Sequence, residues 1–395
     1  MRAAKLLVLS SLVFFCTAYA QPTIKLKPLI IWQPLVEMDE QIFPSYLIAT
    51  ATMKWPSSPT PHYLGEWDGQ IGISIISQTG KARCRLEIKA AEIMEPSVSE
   101  YVLENGQTYE IFPKIKYRFD ALSKIEQLVP VNVTFTLHVN GEFYDEKFLT
   151  IKLHSVNDCP SIIMHRKGGA MDRNFMFAAY VNENHPWITN PLLPEIMKSG
   201  LVNAFTGYQV SEDEVYRQVF AVWTDFQRRG FRYSSVTVTP SMSPFVRSQY
   251  VRFLSDALNT SQANCVDGTV LFASVLRRIG IDPVLVLTPD HCFLGFFLDR
   301  AHQRWAFLET TLLGNTDVAE SSLDQQNWAY FNKLLMSGPV MQQFYGSSLK
   351  SFACAIQVGY KNYSEIQEKL KTPNLEYQII DVSSARQRGV IPISR

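Results

Sequence analysis

NCVDGTVLFASVLRRIGIDPVLVLTPDHCFLGFFLDRAHQRWAFLETT, residues 264–311, is the stretch from which the rest of the chain is read. After Cys265, Val266, Val270, Leu271, Val275 and Ile279 recur at helical spacing, and Gly280 stands where a helix end needs a positive φ. Pro283 excludes more helix, and Val284 to Leu287 is a short apolar run suited to a buried strand. Thr288-Pro289-Asp290 reads as a turn, and residues 291–298 and 304–309 read as two further strands around a polar loop at 299–303.

This layout can gather a thiol, an imidazole and a carboxylate. A helix N-terminus offers positive partial charge and unpaired N–H groups, which favour a thiolate at Cys265 and an oxyanion beside it. On the first hairpin strand His291, Phe293, Gly295 and Phe297 share one face; on the second, Trp305, Phe307 and Glu309 do. With the loop centred near Arg300 or Ala301, positions 291 and 309 fall opposite or diagonally offset on the same face. The candidate catalytic set is therefore Cys265 as nucleophile, His291 as base and Glu309 as the acid that orients the ring.

Plainer readings stand beside this one. A cysteine at a helix start is commonly buried and inert, and a strand histidine commonly packs or faces water. A metal site of Cys265, His291 and Cys292 lacks any Cys-x-x-Cys or His-x-x-x-His pair, and adjacent strand residues point to opposite faces. No metal and no cofactor is expected. Asp267 lies two residues along the helix and is turned away from Cys265, which leaves Asp290 as an alternative acid.

The 395 residues suffice for two or three domains, and 37 Lys plus Arg balance 37 Asp plus Glu, so no basic excess argues for a nucleic-acid partner. Arg2 and Lys5, an apolar run over residues 6–15, and Ala18-Tyr19-Ala20 read as a cleaved signal peptide over residues 1–20. The expected location is exported, periplasmic or extracellular, with no transmembrane segment after cleavage. Cys16 then leaves with the peptide and five cysteines remain, an odd number that keeps at least one thiol free unless the chain pairs with another. Cys84 is in phase with Leu86 and Ile88 and reads equally as a small buried hydrophobe.

Between residues 21 and 158 the apolar period is mostly two. Ile71, Ile73 and Ile75 alternate with small residues, and Val131 to Val139 runs to Asn140-Gly141, the dipeptide of a tight hairpin, with Leu149, Ile151 and Leu153 returning. This predicts an antiparallel β-sandwich domain over 21–158. Lys114, Lys116 and Arg118 form a basic row on one face of an expected strand, read as a solvated face. After Val156-Asn157-Asp158-Cys159-Pro160 the period changes. Ser211 to Glu214 reads as a capping box before a helix bearing Val215, Val219, Val222 and Phe226 and ended by Gly230. Residues 231–238 read as a strand, 248–258 as a helix, the region around Trp328 to Leu335 as a helix, and 379–382 as a strand. Residues 159–395 are thus an α+β domain.

Residues 264–311 resemble the core of the transglutaminase-like superfamily, a papain-like α+β fold. There a cysteine opens a helix that ends in a leucine-arginine-x-x-glycine-isoleucine segment, followed by a strand, a histidine-aromatic strand and a tryptophan-x-x-leucine-aspartate-x-threonine strand. Here stand Cys265, Leu276-Arg277-Arg278-Ile279-Gly280-Ile281, His291-Cys292-Phe293 and Trp305-Ala306-Phe307-Leu308-Glu309-Thr310-Thr311. The match covers about fifty residues closely and 200–311 more loosely. Cys265 matches the nucleophile, His291 the base, and Glu309 the position usually held by aspartate. Glutamate is one methylene longer, and Cys292 directly after the histidine is a second departure. Tyr233 matches the place of an upstream aromatic oxyanion donor. The resemblance implies a thiol hydrolase or acyltransferase acting on an amide bond of a peptide or protein, with a cell-envelope substrate among those it allows. It equally covers inactive members that serve as binding modules.

Overall fold

The computed structural model describes residues 28–394 apart from 57–59, 165–168, 236–242 and 337–338. The signal-peptide expectation for residues 1–20 lies outside the described residues. The fold is α+β.

Two sheets are built from strands between Ile30 and Leu153. One orders Ile30–Val36, Ile71–Ser77, Thr108–Phe112 and Tyr63–Gly65; the other orders Gln41–Ile42, Glu142–Leu153, Val129–Val139, Ala82–Lys89 and Ser97–Leu103. Their alternate residues meet in one apolar cluster that includes Ile73, Ile75, Leu86, Ile88, Phe135 and Leu137. Cys84 is a buried member of it, matching the bland reading of that cysteine. Asn140 (φ 54°) and Gly141 (φ 88°) turn the long hairpin, as the dipeptide requires. Contrary to the antiparallel expectation, two of the pairings are parallel. Tyr63–Gly65 and Gln41–Ile42 are short edge strands paired in parallel, because the chain between them leaves the sheets and returns. The expected strand around Lys114 to Arg118 is also absent. Those side chains are exposed on an extended segment held by one bridge, Met94 to Tyr117.

The excursion is instructive. Met38, Asp39 and Glu40 all adopt left-handed φ (53°, 61° and 61°), which costs about 1–2 kcal/mol per residue outside glycine. The turn drives Met38, Phe43, Tyr46 and Ala49 into the second core, with residues from the far half of the chain. A buried polar chain pins it: the Gln41 amide donates to Met38 O (3.0 Å), its oxygen meets His154 Nε2 (2.8 Å), and His154 Nδ1 meets Asp158 (3.1 Å).

That second core is centred on Trp223. The helices Glu212–Arg228, Cys265–Arg278 and Pro339–Leu370 supply Trp223, Phe272 and Phe352, whose rings approach within 5.8 and 6.2 Å of the indole. Ser211 caps the first helix by accepting from Glu214 N–H (3.2 Å), half of the expected box. The complete reciprocal box is elsewhere: Asn264 accepts from Asp267 N–H (2.8 Å) while Asp267 accepts from Asn264 N–H (3.1 Å). The helix expected over 248–258 is corrected. Val246–Tyr250 is a strand paired with Asp158–Met164, and the helix runs Leu254–Thr260. Of the strand expected over 231–238, Arg232–Tyr233 forms, paired with Gln262–Ala263; residues 236–238 lie outside the described residues.

Against the helices lies a four-stranded antiparallel sheet ordered Trp305–Leu308, Cys292–Phe297, Pro283–Leu287 and Gln378–Asp381. Cys265–Arg278 ends as the sequence predicts, with Gly280 at φ 81°. Asp267 is fully buried in its side chain and also accepts from Arg252 N–H (2.8 Å) and its guanidinium (2.7 Å). Removing one partner of a buried ion pair costs about 3–5 kcal/mol. Asp267→Ala is therefore expected to lower the urea-unfolding free energy by about that much, against about 1 kcal/mol for Asn264→Ala, which loses a cap alone. Equal losses would contradict the assignment of Asp267 as a structural acid.

Candidate active site

The hairpin register places the acid. Leu294 pairs with Leu308 and Gly295 with Phe307, so the pairs centre on residue 301. Extended by one step, Glu309 falls opposite Phe293 and diagonal to His291, on their shared face. The side chains bridge that diagonal: His291 Nε2 lies 2.7 Å from Glu309 Oε2. The extra methylene of glutamate reaches what a direct cross-strand neighbour would not need to reach.

Glu309 is 3% exposed, and all its hydrogen bonds come from protein. Oε1 accepts from Thr311 N–H (3.1 Å) and Thr311 Oγ1 (2.7 Å); Oε2 accepts from Asn362 Nδ2 (2.9 Å) beside the imidazole. Burial pushes the carboxyl up, but the bonds from His291 and Thr311 outweigh it and hold it below its usual range.

Cys265 opens its helix, half-exposed, and lines the same cleft as His291, close enough to act on the histidine's proton affinity. With Nε2 committed to Glu309, Nδ1 is the nitrogen left for sulfur. Cys265 and then the hydrogen bond with Glu309 push His291 up to about 10, against a smaller opposing effect of burial. The ring therefore carries its proton through the neutral range. Asn264 fills Asp267 N–H with its side chain and Gly268 N–H with its carbonyl, which leaves the N–H groups of Cys265 and Val266 at the helix mouth. Both residues line a cleft of about 300 Å³, with His291, Asp290 and Arg247 on its walls. A second cleft of about 360 Å³ opens on the far side of the 288–291 turn, where Asn362, Lys369 and Tyr377 stand.

The remaining candidates separate cleanly. Tyr233 sits one strand pair before the nucleophile, opposite Ala263, near enough that after burial the charges of Cys265 and Glu309 raise its hydroxyl pKa. Cys292 is turned into the core, and burial pushes its thiol well up. All five cysteines among the described residues are unpaired, and among those residues no group of three His, Cys, Asp or Glu is arranged to hold a metal. Asp267 is spent on the cap and Arg252, and Asp290 is an exposed turn residue.

Sequence reasoning missed Asn362, Thr311 and Gly359. A Cβ at Gly359 would lie 2.6 Å from the Phe307 carbonyl carbon, so only glycine lets the Pro339–Leu370 helix rest on the hairpin. That approach brings Ala355 O onto Glu309 N–H (3.0 Å) and Asn362 onto the carboxylate. Ala355, Gly359 and Asn362 at i, i+4 and i+7 form one helix stripe, the signal that could have found them.

The His291–Glu309 pair dictates a pH dependence. His291 is raised, so its contribution to stability is full below the ordinary imidazole range (about 6.5) and fades as pH rises to about 10. Glu309 is lowered, so its contribution is full above the ordinary carboxyl range (about 4.3) and is lost as pH falls through the depressed value. The stability advantage of wild type over Glu309→Gln in urea melts is expected to peak between about pH 5 and 6.5 and to shrink towards pH 10. A difference independent of pH would show that the pair is not ionic.

No protein-family model matches this chain, and no curated protein does.

Proposed function

We propose that this chain is an exported thiol hydrolase or acyltransferase that acts on an amide bond of a peptide or protein. In this reading the residues from 21 to 158 form a β-sandwich, and those from 159 to 395 a transglutaminase-like, papain-like α+β domain. The observation that carries it is His291 held by the enclosed Glu309 (2.7 Å) on the wall of the same cleft as Cys265, a cysteine at a helix mouth.

The chemistry follows from the geometry. The Cys265 sulfur, paired with a protonated His291, attacks the substrate carbonyl carbon. The oxyanion that forms takes the free N–H groups of Cys265 and Val266, with the Tyr233 hydroxyl as a third donor. His291 then gives its proton to the departing amine nitrogen, and the C–N bond breaks to leave a thioester. Water or an incoming amine attacks the thioester while neutral His291 takes its proton, and the sulfur leaves. Glu309 holds the ring in place and stabilises its charge throughout. Hydrolysis and transfer use the same three residues and differ only in what enters.

Thiol reactivity tests this. Cys354 is the other half-exposed thiol, and burial raises its pKa, which disfavours the reactive thiolate. With iodoacetamide at pH 6.5, Cys265 is expected to be alkylated on the order of 100-fold faster than Cys354, read by peptide mass spectrometry. His291→Ala is expected to abolish the difference, and Cys265→Ser to remove the fast site. Slow alkylation of Cys265, at the rate of Cys354, would favour an inactive binding module instead.

A further inference from the structure

We propose that the substrate is an extended polypeptide that adds as a strand to the free edge of Gln378–Asp381 and carries an acidic side chain into the cavity beyond; this rests on the thiol reading above.

The open backbone groups can be assigned. Thr288 N–H bonds His291 O (2.9 Å) and Phe297 N–H bonds Asp282 O (3.1 Å), so the even-numbered residues of the neighbouring strand Pro283–Leu287 direct their backbone groups to Cys292–Phe297. The odd residues of Pro283–Leu287 face the other way, where Leu285 and Leu287 pair with Ile380 and Gln378. Ile379 lies between these two and directs its N–H and C=O outward. Among the described residues no protein group bonds either. Tyr377 N–H, the next outward donor, is held by Asn374 Oδ1 (3.3 Å). Ile379 thus offers one donor and one acceptor, the minimum by which an extended chain docks on a sheet edge.

The edge leads to the thiol. Leu375 lines both the Cys265 cleft and a neighbouring cavity of about 850 Å³. That cavity shares Asp172, Gln378 and Ile379 with the next, of about 950 Å³. Residues 375–377 bend around Asn374 before the strand begins at Gln378, so a chain leaving the Cys265 cleft past Leu375 comes alongside Ile379 within a few residues.

Charge then selects the far end. The last cavity exposes Lys54 and Arg388, which have no carboxylate partner among the described residues, beside Trp55 and Phe175. Its acids, Asp172 and Asp381, keep their charge but are tied to neutral donors, Asp172 to Asn174 N–H and the Gln378 amide and Asp381 to Ser384 N–H, which leaves neither cation a carboxylate partner among the described residues. An acidic side chain that reaches this cavity meets these two cations, Lys54 and Arg388, the latter lying over Phe175.

Two probe series test both chain directions: peptidyl chloromethyl ketones, which extend N-terminally from the electrophile, and chloroacetyl peptides, which extend C-terminally. Each has one to six alternating Val and Thr residues, with Glu or Lys at the far end. The rate of Cys265 alkylation is read by intact mass, with iodoacetamide as the reference reagent. In one series, lengthening is expected to raise the rate about tenfold and Glu to exceed Lys. Arg388→Glu is expected to reverse that preference, and N-methylation of the probe amide opposite Ile379 to remove the gain. Fast iodoacetamide labelling with no dependence on length in either series would overturn the edge proposal alone. Slow iodoacetamide labelling would overturn the thiol reading and this proposal with it.

Discussion

A carboxylate shut away from water must have its lone pairs filled by protein donors, and Glu309 is such a group. Its four hydrogen bonds come from the hairpin's first strand, the turn after its second, and the long C-terminal helix. None of those elements can shift without stranding charge. The hairpin must keep its register, Thr311 must hold its short turn, and the helix must lie close enough for Asn362 to reach. Gly359 makes that last condition possible. The imidazole is thereby fixed at the mouth of the Cys265 helix, and the polar line from acid to sulfur follows from the need to satisfy the acid.

Much of this was legible in the sequence, for identifiable reasons. Strand parity is strict, so counting through the hairpin placed Glu309 on the face of His291 before any coordinates. The helix after Cys265 had both an apolar stripe and a glycine stop. Asn140-Gly141 announced its own turn. Where the reading failed, local pattern was overridden by distant partners. The segment 248–250 has a helical look but lies beside Asp158–Met164 and takes its backbone bonds from there. Asn362 is contributed from 53 residues beyond Glu309, and the helix stripe that carries it does not say which distant element it meets. The Asn264–Asp267 box is hard to see because a carboxylate two residues from a candidate nucleophile suits a catalytic role as readily as a capping one.

The two cores are joined by a strained excursion. Three left-handed residues at 38–40 are an expensive way to turn a chain, yet they deliver Phe43 and Tyr46 into the second core. The compensation is the enclosed Gln41–His154–Asp158 chain, in which each side chain meets a partner. Tyr46 also donates to Asp68, itself paired with Arg173 (3.1 Å), so polar contacts as well as apolar ones cross between the sheets and the helical half.

Asn362-Tyr363-Ser364 is also an acceptor sequence for N-linked glycans. The amide nitrogen that such a sugar would occupy is the one that donates to Glu309. A glycosylated amide keeps one N–H, but with its nitrogen 2.9 Å from the buried carboxylate the docked helix leaves a sugar little room there. In a compartment equipped to attach glycans, Asn362 is open only in the interval between synthesis and helix docking. Sugar occupancy at this residue would then act as a clock, recording how long the last helix of the nascent chain waits before it closes over the hairpin.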